Sequence, residues 1–196
     1  MYDVIGGLSS RSFRVMWMLE ELGQPYESLP EKPRSEKVLS LNPTGKVPVL
    51  LDDGVAITDS TAILTYLADK HGALTFPAGT IERAHQDSIT HQVLDEIDAV
   101  LWTAARHSFV LPEDKRVPEV KSSLIWEYSR NLDFVLARRK GPYLMGEMMT
   151  IPDIILTHCG GWALSAKFPT DNDDFKDYLK IVRARPAFRK LREKRP

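Results

Sequence analysis

The first third of the chain alternates short apolar stretches with helical periodicity, a pattern typical of an α/β unit. Val4 and Ile5 predict a short opening strand. After a turn rich in glycine and serine, apolar residues recur at helical positions i, i+3, i+4 and i+7, namely Val15, Met18, Leu19 and Leu22. Gly23 and Pro25 predict the end of this helix. The chain is therefore expected to open with a strand, a polar loop and a helix.

Three more strands and another helix are predicted before residue 75. Residues 26–29 suit a second strand, and the charged residues 31–37 indicate an exposed loop or a weak helix. Apolar, β-rich runs on both sides of Asp52-Asp53-Gly54 predict a hairpin. A helix is expected to begin at Asp59-Ser60 and to end at Gly72. The predicted order is βαβ followed by ββα.

The rest of the chain has helical periodicity only. Residues 72–79 contain two glycines and a proline and carry no helical stripe, so a linker is predicted there. Helices are then predicted at about 81–109, 118–138, 151–168, 175–182 and 186–193. The predicted domains are an α/β domain at 1–75, a linker at 76–80 and an all-α domain at 81–196.

Composition and charge exclude several classes of function. The chain has 196 residues, of which 43% are hydrophobic, so it can form two modest cores. A net charge of −1 leaves no excess of positive charge for nucleic acid or an anionic membrane, and no apolar run approaches membrane-spanning length. The single cysteine, Cys159, excludes an intrachain disulfide and suits a reducing, cytoplasmic location. His85 and His91 lie on different faces of one predicted helix, so no metal site is expected.

Several segments occur in the order and spacing found in glutathione transferases. The N-terminal third supplies Ser9–Val15, Asn42–Leu50 and Asp59–Ile63. In the second half, Gly141–Gly146 and Thr150–Asp153 resemble the capping signature of the same family. The resemblance therefore covers nearly the whole chain.

This resemblance implies both a fold and an activity. It implies a thioredoxin-like, glutathione-binding α/β domain followed by an all-helical domain, with glutathione as cosubstrate. It also implies a homodimeric, cytoplasmic transferase that uses a serine and serves detoxification. Residues 17–23 are most similar to bacterial and fungal members.

Five residues are assigned to glutathione binding. An X-Pro bond adopts the cis form at a cost of only about 0.5–1 kcal/mol, so a strand entrance can turn the Val47 backbone towards a passing peptide. The resemblance implies a cis Val47-Pro48 bond that binds the cysteinyl part of glutathione. Asp59 and Ser60, at a helix N-terminus, suit the γ-glutamyl end. Lys46 is assigned to the glycyl carboxylate, with Lys37 as the less favoured candidate.

Thiol activation is assigned to the serines at the start of the first helix. Lowering a thiol pKa from about 8.5 by about two units needs roughly 2.7 kcal/mol. A hydrogen bond to the thiolate supplies about 1.5–3 kcal/mol and a helix N-terminus about 0.3–1 kcal/mol, which together suffice. Counted back from Arg14, Ser9 matches the catalytic position of zeta-like members and Ser10 that of theta-like members. Ser9 is ranked first, and the Arg11 guanidinium is a candidate to help hold the thiolate.

Three functions are compatible with these residues. The first is a transferase that activates the glutathione thiolate for attack on a small electrophile. The second is a glutathione-dependent peroxidase or an isomerase of the maleylacetoacetate type. The third is a noncatalytic stress adaptor that binds glutathione or a protein partner.

Overall fold

The computed structural model describes residues 1–194, which form two compact units. The first unit comprises Met1–Ala78 together with the C-terminal segment that begins at Arg183. Its elements are β1 (Tyr2–Ile5), α1 (Ser12–Glu21), β2 (Tyr26–Leu29), α2 (Glu36–Leu41), β3 (Val49–Asp52), β4 (Val55–Thr58) and α3 (Ser60–His71). The predicted βαβ and ββα order is therefore confirmed.

The strands form one mixed sheet in the order β2-β1-β3-β4. β1 runs parallel to β2 and antiparallel to β3, and β3 pairs with β4 as the predicted antiparallel hairpin. Ile5, at the end of β1, lies opposite Val49, at the start of β3. This register places the loop that leaves β1 beside the segment that enters β3. A sheet of this order with α1 and α3 packed together is thioredoxin-like, which confirms the predicted fold of this unit.

The segment 31–37, expected to be an exposed loop or a weak helix, contains both. Residues 31–35 form a loop, and α2 starts at Glu36. The Ser35 side chain accepts a hydrogen bond from the Val38 amide at 3.3 Å, and such a cap fixes where a helix can begin. Val38 is fully buried against Ile5 and Val49, which anchors α2 to the sheet.

The second compact unit is Gly79–Val182, and it is helical. Its helices are α4 (Ile81–Val93), α5 (Ala99–Ala105), α6 (Val120–Ala137), α7 (Ile151–Ser165) and most of α8 (Asp173–Arg183). Five-residue π-helical segments follow α4 and α5, so the chain stays helical to Val110, close to the predicted end at residue 109. The predicted all-helical character of this region is confirmed. None of the described helices is both long and apolar enough to span a bilayer.

The last helix, α9 (Pro186–Glu193), belongs to the first unit. The Phe188 ring packs edge-on against Trp17 and Phe13 of α1, with ring centroids 4.9 and 5.6 Å apart. The Arg185 guanidinium donates to both carboxylate oxygens of Glu21, at 2.8 and 2.7 Å. The predicted domain limits, 1–75, 76–80 and 81–196, remain a proposal. Residues 195 and 196 lie outside the described part of the chain.

The helical unit contains a fully buried carboxylate at the start of α7. Asp153 accepts hydrogen bonds from the amides of Leu144 and Thr150 at 2.9 and 2.8 Å. It also accepts from the hydroxyls of Thr150 and Tyr178, at 3.1 and 2.9 Å. Burial raises the pKa of the Asp153 carboxyl above its ordinary value, and the donated hydrogen bonds oppose that shift. This capping box links the loop before α7 to α8, so the role of Asp153 is structural.

Candidate functional site

The loop between β1 and α1 passes very close to the segment that precedes β3. Gly6 has φ +123°, and a Cβ atom placed on it would lie 2.1 Å from the Ser12 hydroxyl oxygen and 2.8 Å from the Val47 Cβ. Only glycine allows this approach, because both its φ value and the available space exclude a side chain. The loop that carries the candidate serines therefore lies against the candidate peptide-binding segment.

Ser9 is exposed in this loop. Its hydroxyl makes no hydrogen bond within residues 1–194. A hydroxyl without an internal partner can donate its proton to a ligand at no cost to the fold. The Ser9 hydroxyl is therefore available to a ligand.

Ser10 is half-buried and takes part in the turn that begins α1. Its hydroxyl oxygen lies 2.8 Å from the Gly7 carbonyl oxygen and 2.9 Å from the Ser12 hydroxyl oxygen. It also accepts a hydrogen bond from the Ser12 amide at 3.1 Å. Since one hydroxyl has a single proton, Ser10 must break a local hydrogen bond before it can donate to a ligand. Its contacts are those of a residue that stabilises the start of the helix.

Arg11 follows directly and occupies the N-cap position of α1, where its side chain makes no capping hydrogen bond. It is half-buried and interacts with other parts of the chain. Arg11 therefore stays a candidate for holding negative charge near the serines.

Val47 and Pro48 have the predicted conformation. The bond between them is cis. Pro48 is buried and Val47 is half-buried. Within residues 1–194, neither the amide nor the carbonyl of Val47 makes a hydrogen bond. One donor and one acceptor are thus available side by side for an extended peptide, as in strand addition.

The loop before Val47 is held by the buried Asn42. Its amide nitrogen donates to the Lys46 carbonyl at 3.0 Å, and its amide oxygen accepts from the Thr44 amide at 3.2 Å. The Lys46 side chain is exposed, and no ion pair with another described residue involves it. Lys37 is exposed on α2. Lys46 is therefore fixed at its backbone and free at its ammonium group.

Asp59 caps α3 in a conformation that is rare for its residue type. It has φ 71° and ψ 124°, and one carboxylate oxygen accepts from the amides of Thr61 and Ala62 at 2.9 and 3.0 Å. Positive φ at a residue other than glycine costs about 1–3 kcal/mol and is concentrated at functional sites. Asp59 is exposed while Ser60 beside it is buried. The cap thus presents one unused carboxylate oxygen at the N-terminus of α3.

Comparison with known proteins relates this chain to a known fold and domain family. A model of the N-terminal domain of glutathione S-transferase matches residues 8–70. This range includes the three N-terminal segments 9–15, 42–50 and 59–63. Over the full length, the crystal structure of a glutathione transferase from Methylococcus capsulatus superposes with a TM-score of 0.86 at 27% identity, and the match covers 99% of this chain and 98% of that one. The N-terminal domain is that of the glutathione S-transferase family. Both the thioredoxin-like half and the helical half match this neighbour, which confirms the predicted fold class.

Two relatives of known name are more similar in sequence over shorter segments. Glutathione S-transferase 3 of Schizosaccharomyces pombe is 43% identical over 68 residues, which cover 33% of this chain and 28% of the relative. Maleylacetoacetate isomerase of Rhizobium meliloti is 37% identical over 98 residues, which cover 47% of this chain and 46% of the relative. The matched segments span less than half the length of either relative.

Sequence reasoning about this glutathione S-transferase N-terminal domain missed one feature, the role of Arg14. Arg14 is fully buried in α1, and its guanidinium donates to the Ser60 hydroxyl at 3.5 Å. It therefore links the helix that follows the serine loop to the N-terminus of α3. The sequence offers one signal for this role, a charged residue directly before the apolar run of α1. The sequence analysis uses that residue only to align the serines.

Metal ligands are not grouped in the described residues. No three His, Cys, Asp or Glu side chains of residues 1–194 could hold a metal ion together.

Proposed function

We propose that this chain is a glutathione-dependent enzyme that binds the tripeptide in its N-terminal unit. Its backbone would pair with Val47, its γ-glutamyl group would lie at the Asp59-Ser60 end of α3, and its glycyl carboxylate would contact Lys46. The observation that carries the proposal is the close approach at Gly6. It places the serine loop against the free donor and acceptor of Val47.

The Ser9 hydroxyl and the N-terminus of α1 would then lower the pKa of the glutathione thiol. The resulting thiolate attacks a small electrophile, forming a carbon–sulfur bond as the leaving group departs or the electrophile accepts the electron pair. Arg11 and Ser10 are retained as the other candidates for contact with the thiolate. A cytoplasmic location and a role in detoxification complete this proposal.

A second function is supported by the relative from Rhizobium meliloti, whose name is maleylacetoacetate isomerase. The same thiolate would then add reversibly to a maleyl double bond. It would leave after rotation about the single bond that the addition creates. A glutathione peroxidase and a noncatalytic glutathione-binding adaptor are the remaining alternatives.

The first test is retention on immobilised glutathione, followed by assays with a chloronitrobenzene, a hydroperoxide and a maleyl compound. We expect retention, elution by free glutathione and turnover of one of these substrates. Specific retention without turnover of any substrate would favour the adaptor. A protein that does not bind would contradict the whole assignment.

Lys46→Gln is expected to raise the KM for glutathione about two- to fivefold and to leave kcat unchanged. An exposed charge pair contributes about 0.2–1 kcal/mol, and the glycyl carboxylate is equally far from the reacting sulfur in the ground state and in the transition state. Steady-state kinetics at varied glutathione concentration measures both parameters. Lys37→Gln is the matched control and should change neither. An equal rise of KM in both variants would indicate a diffuse effect of charge.

A homodimer is expected because the family resemblance implies one. Sedimentation equilibrium at micromolar concentration should give about twice the 22.2 kDa of the chain. A mass equal to that of a single chain, unchanged up to tens of micromolar, would contradict this expectation.

A further inference from the structure

The loop between β2 and α2 contains an arginine at a turn position that favours glycine. Pro33 and Arg34 are the central residues of a β-turn, in which the Ser35 amide donates to the Lys32 carbonyl at 3.2 Å. Arg34 has φ 66°. Proline at the second position and a positive φ at the third are typical of a type II turn, whose third position prefers glycine or asparagine. An arginine there strains the backbone, and such strain is concentrated at functional sites.

This turn is fixed against the loop that leads to the cis peptide bond. The Arg34 amide donates to the Gly45 carbonyl at 2.8 Å. Gly45 has φ 68°, and a Cβ atom placed on it would lie 2.8 Å from the Arg34 Cγ. The aliphatic part of the Arg34 side chain therefore lies directly on Gly45, the residue before Lys46. This contact anchors Arg34 at the entrance to the candidate peptide-binding segment.

The Arg34 guanidinium is available to a ligand. Arg34 is exposed, and its side chain makes no hydrogen bond or ion pair with any other residue in the described part of the chain. Glycine would adopt the same turn without strain, so the arginine is unfavourable for the fold. What it adds is a second cationic group close to Lys46.

We propose that Arg34 binds the glycyl carboxylate of glutathione together with Lys46, so that the site selects peptide thiols with a free C-terminal carboxylate. This inference rests on the proposed function. A guanidinium group offers two parallel N–H donors that match both oxygens of a carboxylate, a geometry that the ammonium group of Lys46 lacks. An ester or an amide at the same place is uncharged and loses this pairing. Thiols extended at the glycyl end are therefore expected to bind weakly.

Calorimetric titration of the full-length protein with glutathione and with its glycyl monoethyl ester tests this selection. We expect the wild-type protein to bind the ester at least tenfold more weakly than glutathione. Arg34→Gln should weaken glutathione binding about five- to tenfold and change ester binding less than twofold, so that the difference between the ligands shrinks. Lys32→Gln removes the same charge from an exposed position of the same turn, and it should change neither Kd by more than twofold.

Arg34→Gly separates a loss of binding from a loss of folding. Because glycine adopts a φ of 66° without strain, the Tm of this variant should be no lower than that of the wild-type protein. Its affinity for glutathione should fall as in Arg34→Gln. An equal penalty for the ester in the wild-type protein and in Arg34→Gln would overturn this inference and leave the proposed function standing. A wild-type protein that binds neither ligand would overturn both.

Discussion

Ser9→Ala is expected to raise the pKa of the bound glutathione thiol and to slow turnover roughly ten- to a hundredfold at neutral pH. One hydrogen bond to a thiolate contributes about 1.5–3 kcal/mol, and this change removes it. The N-terminus of α1 and the Val47 amide would still stabilise negative charge. Activity should therefore fall without disappearing, and it should recover as the pH is raised.

Ser10→Ala is the matched control, because it removes the same group one residue later. The Ser10 hydroxyl is held by Gly7 and Ser12, so its loss should lower the free energy of unfolding by about 0.5–1.5 kcal/mol. The thiol pKa should change little in this variant. The pH dependence of kcat/KM and the unfolding free energy, measured for both variants, separate the two roles.

The opposite pattern would identify a different catalytic residue. A normal thiol pKa in Ser9→Ala with a raised one in Ser10→Ala would mean that the theta-like alignment is correct. If neither variant changed the thiol pKa, Arg11 would become the leading candidate and activation by a serine would have to be abandoned.

Asp153→Ala is expected to destabilise the folded protein by about 3–5 kcal/mol. The change removes the cap of α7 and leaves the Leu144 and Thr150 amides and the Tyr178 hydroxyl without their acceptor. Each buried donor that loses its partner costs about 1–3 kcal/mol, and some of that cost is relieved by relaxation. Thermal unfolding should show the Tm falling by about 6–20 °C.

Asp173→Ala is the control for this loss. Asp173 also lies in the first turn of a helix, but its side chain is 92% exposed, and its ion pair within residues 1–194 is with the nearby Lys176. Its removal should leave the Tm nearly unchanged. A similar, small effect of both substitutions would contradict the role assigned to the buried carboxylate of Asp153.

The strands and most helices could be predicted because local patterns specify them. The stripe of α1, the Asp-Gly turn between β3 and β4 and the Thr150 capping box each depend on residues close together in the chain. The π-helical segments after α4 and α5 could not be predicted, since the apolar periodicity continues through them without a break. Likewise, the apolar face of α9 predicts a helix but does not identify α1 as the surface on which it packs.

The candidate site shows the same limit. The order of its three segments indicated glutathione binding, and the sequence alone ranked Ser9 ahead of Ser10 only by alignment. What separates the two serines physically is which hydroxyl the turn uses for itself: the Ser10 hydroxyl contacts Gly7 and Ser12, whereas the Ser9 hydroxyl makes no hydrogen bond within residues 1–194. The contact between Arg14 and Ser60 joins residues far apart in the sequence, so no local pattern could reveal it.

Titration of the ultraviolet thiolate band of glutathione bound to the wild-type protein tests thiol activation most directly. A free thiol has a pKa of about 8.5, and we expect a value roughly two units lower in the complex. S-methylglutathione, which cannot ionise at sulfur, should bind without producing the band. If glutathione binds tightly but its thiol keeps the pKa of the free tripeptide, the protein binds glutathione without activating it, and the proposed enzymatic function is wrong.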